Sequence, residues 1–330
     1  MCRRLLPNEN LLIYSSLQRE ALASSTIEGT IATPEQLVLL QLSQHTERSE
    51  VQEVANYSVA LRAGVEQIGS RELSVGFIKY LHEILLGGTR GANVAGALKT
   101  RQNAIGNPED GIESAAFIPC PPERVQELME QLETYLTGPH SESKVVQCAI
   151  AHHQFETIHP FADGNGRVGR LLIVLHLIKL NLLDAPLIYP SVYFERNRQA
   201  YYRALQIVRD TGNWDVWLAY FATAIAESCT NTIQFTEALR SLQDDLQARV
   251  SDVRARSTVS RVLNSLFGEP FQSVREIATL CDISTKTATS ALQILEHEQF
   301  AVEVTHRAWK RVYACPQVLD LVFGQQFKLP

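Results

Sequence analysis

His159-Pro160-Phe161-Ala162-Asp163-Gly164-Asn165-Gly166-Arg167-Val168-Gly169-Arg170 puts a proton acceptor, a carboxylate, a glycine-rich turn and two arginines into one short segment. A long apolar run, Leu171 to Leu183, follows at once, so the turn opens onto a helix N-terminus. Successive backbone N–H groups of Gly164-Asn165-Gly166 can point into one concavity, to which the helix adds its own unpaired N–H groups and the positive end of its dipole. Arg167 and Arg170 share one face of the first turn, where each exposed cation opposes the macrodipole by roughly 0.3–1 kcal/mol. An anion between them removes the conflict, and guanidinium forks suit phosphate oxygens. Asp163 at the mouth suits Mg²⁺ shared with phosphate. His159 is the group there that takes a proton near neutral pH.

Other readings fit less well. Gly164, Gly166 and Gly169 also satisfy G-x-G-x-x-G, with Asp184 about twenty residues on, but no strand precedes the first glycine and no βαβ pattern surrounds it. His152, His153, His159 and Asp163 match no standard metal-ligand spacing, and His152 and His153 read as packed or helix-face histidines. Gly91 and Gly96 have P-loop spacing, but Ala97-Leu98 follows where Lys and Ser/Thr belong. A plain glycine turn leaves both the arginines and His159 unexplained.

His159 to Arg170 resembles H-P-F-x-[D/E]-G-N-G-R-x-x-R, the signature of Fic-domain protein adenylyltransferases, without a mismatch. The resemblance implies a helical core that transfers AMP from Mg-ATP to a Tyr, Thr or Ser hydroxyl of a target protein, which could be the chain itself. It makes His159 the general base and Asp163 the Mg²⁺ ligand. Gly164, Asn165 and Gly166 become the anion hole, and Arg167 and Arg170 the phosphate ligands, Arg170 at the γ-phosphate. Phe161 becomes an inward anchor. Ser114, Ala115, Ala116 and Phe117 fall where the family has its flap, and Tyr201-Tyr202 resembles the pair beside adenine. Relatives that transfer phosphate or phosphocholine replace anion-hole glycines; Gly164 and Gly166 therefore favour AMP.

Far upstream, Ser24-Ser25-Thr26-Ile27-Glu28-Gly29 resembles the family's inhibitory motif [S/T]-x-x-x-E-[G/N]. Ser24 and Glu28 share a helix face, and Gly29 ends the helix. A glutamate in a last turn opposes the dipole unless a cation meets it, and the resemblance implies Arg170. Glu28 on Arg170 would displace the γ-phosphate and silence the enzyme. Glu28 could also orient water for the reverse reaction, removal of AMP.

The rest of the chain sets the frame. Its 330 residues, 45% hydrophobic and 20% charged, can build two or three domains. A net charge of −6 argues against general nucleic-acid or membrane-surface binding. Six scattered cysteines without a C-x-x-C pair suit reduced thiols. The N-terminus lacks a signal peptide's apolar core, and Leu171–Leu183 is too short to span a bilayer; a soluble, cytoplasmic protein is expected.

Helices are predicted over Tyr14–Ile27, Gln36–Leu42, Glu50–Ile68, Ile78–Leu86, Pro122–Leu136, Lys144–Phe155, the run after the glycine turn, Arg196–Asp210, and Asn213 onward to Val250. Gly91–Pro122 reads as a hairpin or flap with extended pieces at Ala97–Ile105 and Ala115–Ile118. Ser251–Arg256 is the expected linker. Beyond it, helices over Val259–Phe267, Val274–Cys281 and Ser284–Glu296 precede a strand pair, Ala301–Thr305 and Arg311–Ala314. Ser284 caps the third helix after the turn at Asp282.

The expected fold is mainly α: a Fic helical core with a small β-hairpin flap, plus a C-terminal winged helix-turn-helix domain. Expected divisions are 1–75, with the inhibitory helix; 76–210, the catalytic core; 211–256, a helical extension and linker; and 257–330, the winged helix. From Thr258 to Cys315 six basic residues face six acidic ones, and the would-be recognition helix offers only Lys286. Groove binding needs a basic face. That balance favours target capture or homodimer packing over a nucleotide-sensing DNA-binding regulator.

Overall fold

The computed structural model describes residues 10–43, 49–106, 115–252, 255–305 and 311–324. They form two compact units, one of Ser16–Ala32 with Thr46–Cys229, the other of Met1–Ser15, Thr33–His45 and Thr230–Pro330. The expected 1–75 region is thus divided between the units.

The motif-bearing unit is helical. It holds most of α1 (Asn10–Ile27), then α3 (Ser49–Ile68), α4 (Val75–Leu86), α5 (Pro122–Thr137), α6 (Lys144–Ile158), α7 (Asn165–Lys179), α8 (Pro190–Arg196), α9 (Arg198–Thr211) and the first part of α10 (Asp215–Arg249). Helix α7 is buried at every position from Asn165 to Leu177, as its all-round hydrophobicity requires of a central helix. It packs on α3, α4 and α6. Gly64 of α3 permits that approach, since a Cβ there would come within 2.6 Å of Leu175. Phe194, Tyr201, Trp217 and Phe221 pack around Ile173 and Leu177, each such side chain contributing roughly 1.5–3 kcal/mol on burial. The Trp217 indole N–H donates to the Ala149 carbonyl at 2.9 Å. Helix α8 was not predicted; the expected start at Arg196 lies at its end.

The second unit contains α2 (Pro34–Ser43), the remainder of α10, α11 (Arg256–Gly268), α12 (Val274–Leu280), α13 (Thr285–His297) and α14 (Pro316–Phe323). Strands β1 (Gln272–Ser273), β2 (Val302–Glu303) and β3 (Val312–Ala314) form an antiparallel sheet in the order β1-β3-β2. The expected strand pair is present but shorter, and β1 and α14 are additions. Ser284 Oγ accepts the Thr287 N–H at 3.1 Å, and a capping box of Ser273 and Glu276 opens α12. Val38, Phe271, Val304, Ala314 and Leu319 form a core. Of the expected linker, Ser251 and Asp252 belong to a 3₁₀ turn, Val250–Asp252, and Arg256 begins α11, residues 253–254 lying outside the described set. Among the described residues no helix is long and apolar enough to cross a membrane.

Candidate active site

Helix α6 ends at His159, whose backbone is left-handed (φ 52°, ψ 62°) while its N–H still closes on the Phe155 carbonyl at 2.9 Å. For a residue with a Cβ that conformation costs roughly 1–2 kcal/mol and persists because the packing on both sides fixes it. Burial drives the His159 imidazole down to about pKa 4, with Glu28 opposing, so the ring is neutral at neutral pH. Its Nδ1 is sealed from solvent without a hydrogen-bond partner and lies 4.0 Å from Glu156 Oε2.

The loop from Pro160 to Asp163 is braced from beneath. Phe161 is fully buried, its ring stacked on His82 at 3.8 Å. Its N–H donates to Asn165 Oδ1 at 2.7 Å, and its carbonyl accepts from Asn165 Nδ2 at 2.8 Å and Asn103 Nδ2 at 3.0 Å. The Asn165 side chain therefore closes the turn and leaves only main chain for an anion. His82 accepts the Gly96 N–H on Nδ1 at 2.9 Å and lies 3.0 Å from the Asp163 carbonyl through Nε2, which places its proton on Nε2. Burial holds that ring near pKa 4 as well.

Gly164 takes φ 78° and α7 starts directly after it. The first intrahelical bond runs from Val168 N–H to the Gly164 carbonyl at 3.0 Å, so the N–H groups of Asn165, Gly166 and Arg167 have no intrahelical acceptor. The Glu28 carboxylate lies over this turn: a Cβ on Gly166 would come within 2.2 Å of Glu28 Oε1. Helix α1 ends in a Schellman arrangement, Gly29 N–H to Thr26 and Thr30 N–H to Ser25, both at 3.0 Å. That closure sets Glu28 at the helix end. Arg170 Nη2 donates to Glu28 Oε1 at 2.7 Å and to the Ser24 carbonyl at 2.8 Å, and its Nε donates to Ser24 Oγ at 2.9 Å. Burial works against the Arg170 charge, and Glu28, Tyr201 and Glu156 together outweigh it, Glu28 foremost, holding the guanidinium cationic.

Arg167 is also buried, and its Nη1 donates to Glu53 Oε2 at 2.8 Å, with Asp163 Oδ1 3.4 Å from Nη2. The anions that settle the two dipole-opposing arginines are thus carboxylates of the chain itself. Asp163 is half exposed, and its Oδ1 accepts the Gly164 N–H at 2.6 Å. Among the described residues no three metal-binding side chains cluster. A lone carboxylate at the rim of a phosphate-sized cradle fits Mg²⁺ that arrives on a nucleotide, since Mg²⁺ takes one or two carboxylates and keeps waters and phosphate oxygens.

Of the flap, Ser114 lies outside the described residues. Ala116 is exposed, Ala115 and Phe117 are half-buried, and Phe117 pairs with Ile105 in a single antiparallel bridge. Among the described residues the predicted hairpin shows this one bridge. Tyr201 is buried, its hydroxyl 2.8 Å from His152 Nε2; Tyr202 is exposed and donates to the Ile27 carbonyl at 3.4 Å. The two tyrosines therefore occupy opposite environments. His152 and His153 are packed histidines, held by burial near pKa 3 and 4. Sequence reasoning missed Glu53, Glu156, His82 and Arg209. Glu156, buried behind His159, has its carboxyl pushed up to about 7 by burial, Arg170 opposing and Glu28 reinforcing.

Residues 72–177 match the family described as Fic/DOC, and residues 1–66 match its N-terminal region. A probable protein adenylyltransferase of Aquifex aeolicus is 38% identical over 92 residues, which are 28% of this chain and 26% of that protein. Protein adenylyltransferase fic-1 of Caenorhabditis elegans is 33% identical over 141 residues, 41% of this chain and 24% of that protein. These matches span about a quarter of those relatives' length. A Fic family protein from Desulfovibrio desulfuricans shares the fold with a TM-score of 0.61 at 22% identity, over 95% of this chain and 89% of that one. Carrying the motif and both family segments, the chain belongs to the Fic/DOC family.

Proposed function

We propose that this chain is a protein adenylyltransferase that transfers AMP from Mg-ATP to a Tyr, Thr or Ser hydroxyl of a target protein, and that Glu28 holds it off. The observation that carries this is the Glu28 carboxylate on Arg170 and over Gly166, an anion seated at the N-terminus of α7. A γ-phosphate would compete for the same guanidinium, with the free N–H groups of Asn165, Gly166 and Arg167 beside it. Asp163 would hold Mg²⁺, which when bound offsets charge on the phosphates. Arg167, fixed by Glu53, steadies Asp163 and adds positive field.

In the transfer step the target hydroxyl gives its proton to Nε2 of His159, the nitrogen left once Nδ1 is sealed against Glu156. The hydroxyl oxygen bonds to the α-phosphorus, the bond from that phosphorus to the oxygen bridging to the β-phosphate breaks, and pyrophosphate leaves. Positioning and electrostatics dominate such chemistry, so moving the γ-phosphate off Arg170 is enough to stop it. The flap from Ala115 to Phe117 would hold the target's backbone, and Tyr202, the exposed tyrosine of its pair, would meet adenine.

We divide the chain, on sequence grounds, at residues 75, 210 and 256. The three helices α11–α13 with sheet β1-β3-β2 support a winged helix-turn-helix, used for target capture or homodimer packing. A cytoplasmic site of action is proposed on sequence grounds.

The test is purified Glu28→Gly protein with Mg-ATP, with AMP adducts on itself or on lysate proteins detected by mass spectrometry. Adducts are expected, and His159→Ala in that background should reduce them by the ~10²–10⁴ of a general base. No adducts from Glu28→Gly protein would sink the proposal.

A further inference from the structure

Among the described residues the two arms of the flap meet at one bridge, beside which Gln102 Nε2 donates to the Pro119 carbonyl at 3.0 Å. Ile105 N–H donates to the Phe117 carbonyl at 2.9 Å and Phe117 N–H returns to the Ile105 carbonyl at 3.2 Å, one bridge and no more among the described residues. A further anchor comes from α9. The Arg209 guanidinium stacks on the Phe117 ring, its carbon 3.9 Å from the ring centroid. The same guanidinium donates from Nε to Thr157 Oγ1 at 3.2 Å and from Nη2 to the Glu156 carbonyl at 3.1 Å.

We propose that Arg209 is the positioning residue that sets the flap over the reacting centre. One planar cation holds two things at once: the ring at the flap's bridge, and the last turn of α6 from which His159 emerges. Arg209 is half-buried, where a cation–π contact is stronger than at an exposed site, and its planar fork lets the edge bond to α6 while the face meets the ring. A lysine could supply the charge but not both contacts. What the clamp acts on is the distance between the target's backbone on the flap and the imidazole of His159. In this respect the inference rests on the adenylyltransferase reading. Arg209 touches neither His159 nor the arginines of the cradle in the hydrogen bonds it makes, so nucleotide binding should not depend on it.

The experiment uses the full chain in the Glu28→Gly background with three further changes made singly: Arg209→Ala, Arg209→Lys and Phe117→Leu. Phe117→Leu removes the ring while leaving the Arg209 bonds to α6 intact. Amide exchange is read at Ile105 and Phe117, together with Tm, affinity for a non-hydrolysable ATP analogue, and AMP transfer to the protein itself and to lysate. All three variants should speed exchange at those two amides by roughly 2- to 30-fold, the range a cation–π contact spans. AMP transfer should fall by a similar factor while analogue affinity stays unchanged. Unchanged exchange in Phe117→Leu overturns the proposal, as does a loss confined to Arg209→Ala that comes with a fall in Tm, which marks a merely structural arginine. If the Glu28→Gly parent transfers no AMP, the adenylyltransferase reading fails, and the exchange data still decide the clamp.

Discussion

Arg167 and Arg170 stand one turn apart on α7, and each meets a carboxylate from an upstream helix, but the two pairs are built differently. Glu53 is sealed, its side chain 1% exposed against 2% for Arg167; it also accepts from Thr30 Oγ1 at 3.4 Å and pairs with Arg90, whose Nε lies 3.2 Å from Oε1. Glu28 is 34% exposed on an Arg170 that is 1% exposed. The first pair is surrounded by protein on both sides. The second has a protein-bound cation and an anion that water can reach. Arg170 also keeps two bonds to Ser24 whatever Glu28 does. On the proposed reading the exposed carboxylate is the one that a phosphate would replace, and the sealed one would stay.

The strongest way to break this contrast is Glu53→Ala. Removing one partner of a buried pair leaves the other uncompensated, at about 3–5 kcal/mol. Urea unfolding should show that loss, and a variant as stable as the parent would make the two pairs equivalent. Glu28→Gly should cost less than Glu53→Ala, since its carboxylate is partly solvated and Arg170 keeps its two bonds to Ser24.

The next effect is ligand-dependent. If Glu28 occupies the place of a phosphate, Mg-ATP should stabilise Glu28→Gly protein more than the parent. At a hundredfold excess over Kd the gain is about 2.7 kcal/mol, visible as a rise in Tm. Equal shifts in both proteins would mean that Glu28 and nucleotide do not compete, and that the Glu28–Arg170 pair is as architectural as the one at Glu53.

What was legible beforehand follows the same division. Glu28, Arg170 and the glycine turn were readable because each breaks a local rule (an acid at a helix C-terminus, cations at an N-terminus, glycines where φ must be positive), and Ser24 through the motif it shares with Glu28. Glu53 breaks none. It lies in α3 near Glu50 and Gln52 and reads as one more polar helix residue, until packing of α3 on α7 buries it. Arg209 in the last turn of α9 complements the dipole and so looks unremarkable. Tyr201 and Tyr202 could not be separated by type, since their difference is which face of α9 each occupies. Strand β1, two residues long, and α8, seven residues opened by Pro190, are too short for periodicity to register.

The smallest effect concerns a third carboxylate beside Arg170. Burial pushes Glu156 from 4.5 up to about 7; Arg170 pulls it down, Glu28 pushes it up and Arg209 pulls it down. A carboxyl raised on folding lends stability that is complete below about pH 4.5 and is lost as pH climbs through about 7. Between pH 6 and 8 the loss is about 1.4 kcal/mol for one such group. Glu20 is raised to about 7 in the same way, and the histidines lowered by burial, His82, His152, His153, His159 and His176, act oppositely, gaining stability up to about pH 6.5. The measurement is therefore a difference. Parent minus Glu156→Gln stability should fall by about 1.4 kcal/mol from pH 6 to pH 8, the other groups cancelling. Repeated in the Glu28→Gly background, the fall should move to lower pH, because the carboxylate that raises Glu156 is gone and Arg170 is free to favour its charged form. A fall at the same pH in both backgrounds would show that Glu28 exerts no field at Arg170's second neighbour, and would leave the exposed pair energetically separate from the buried site beneath it.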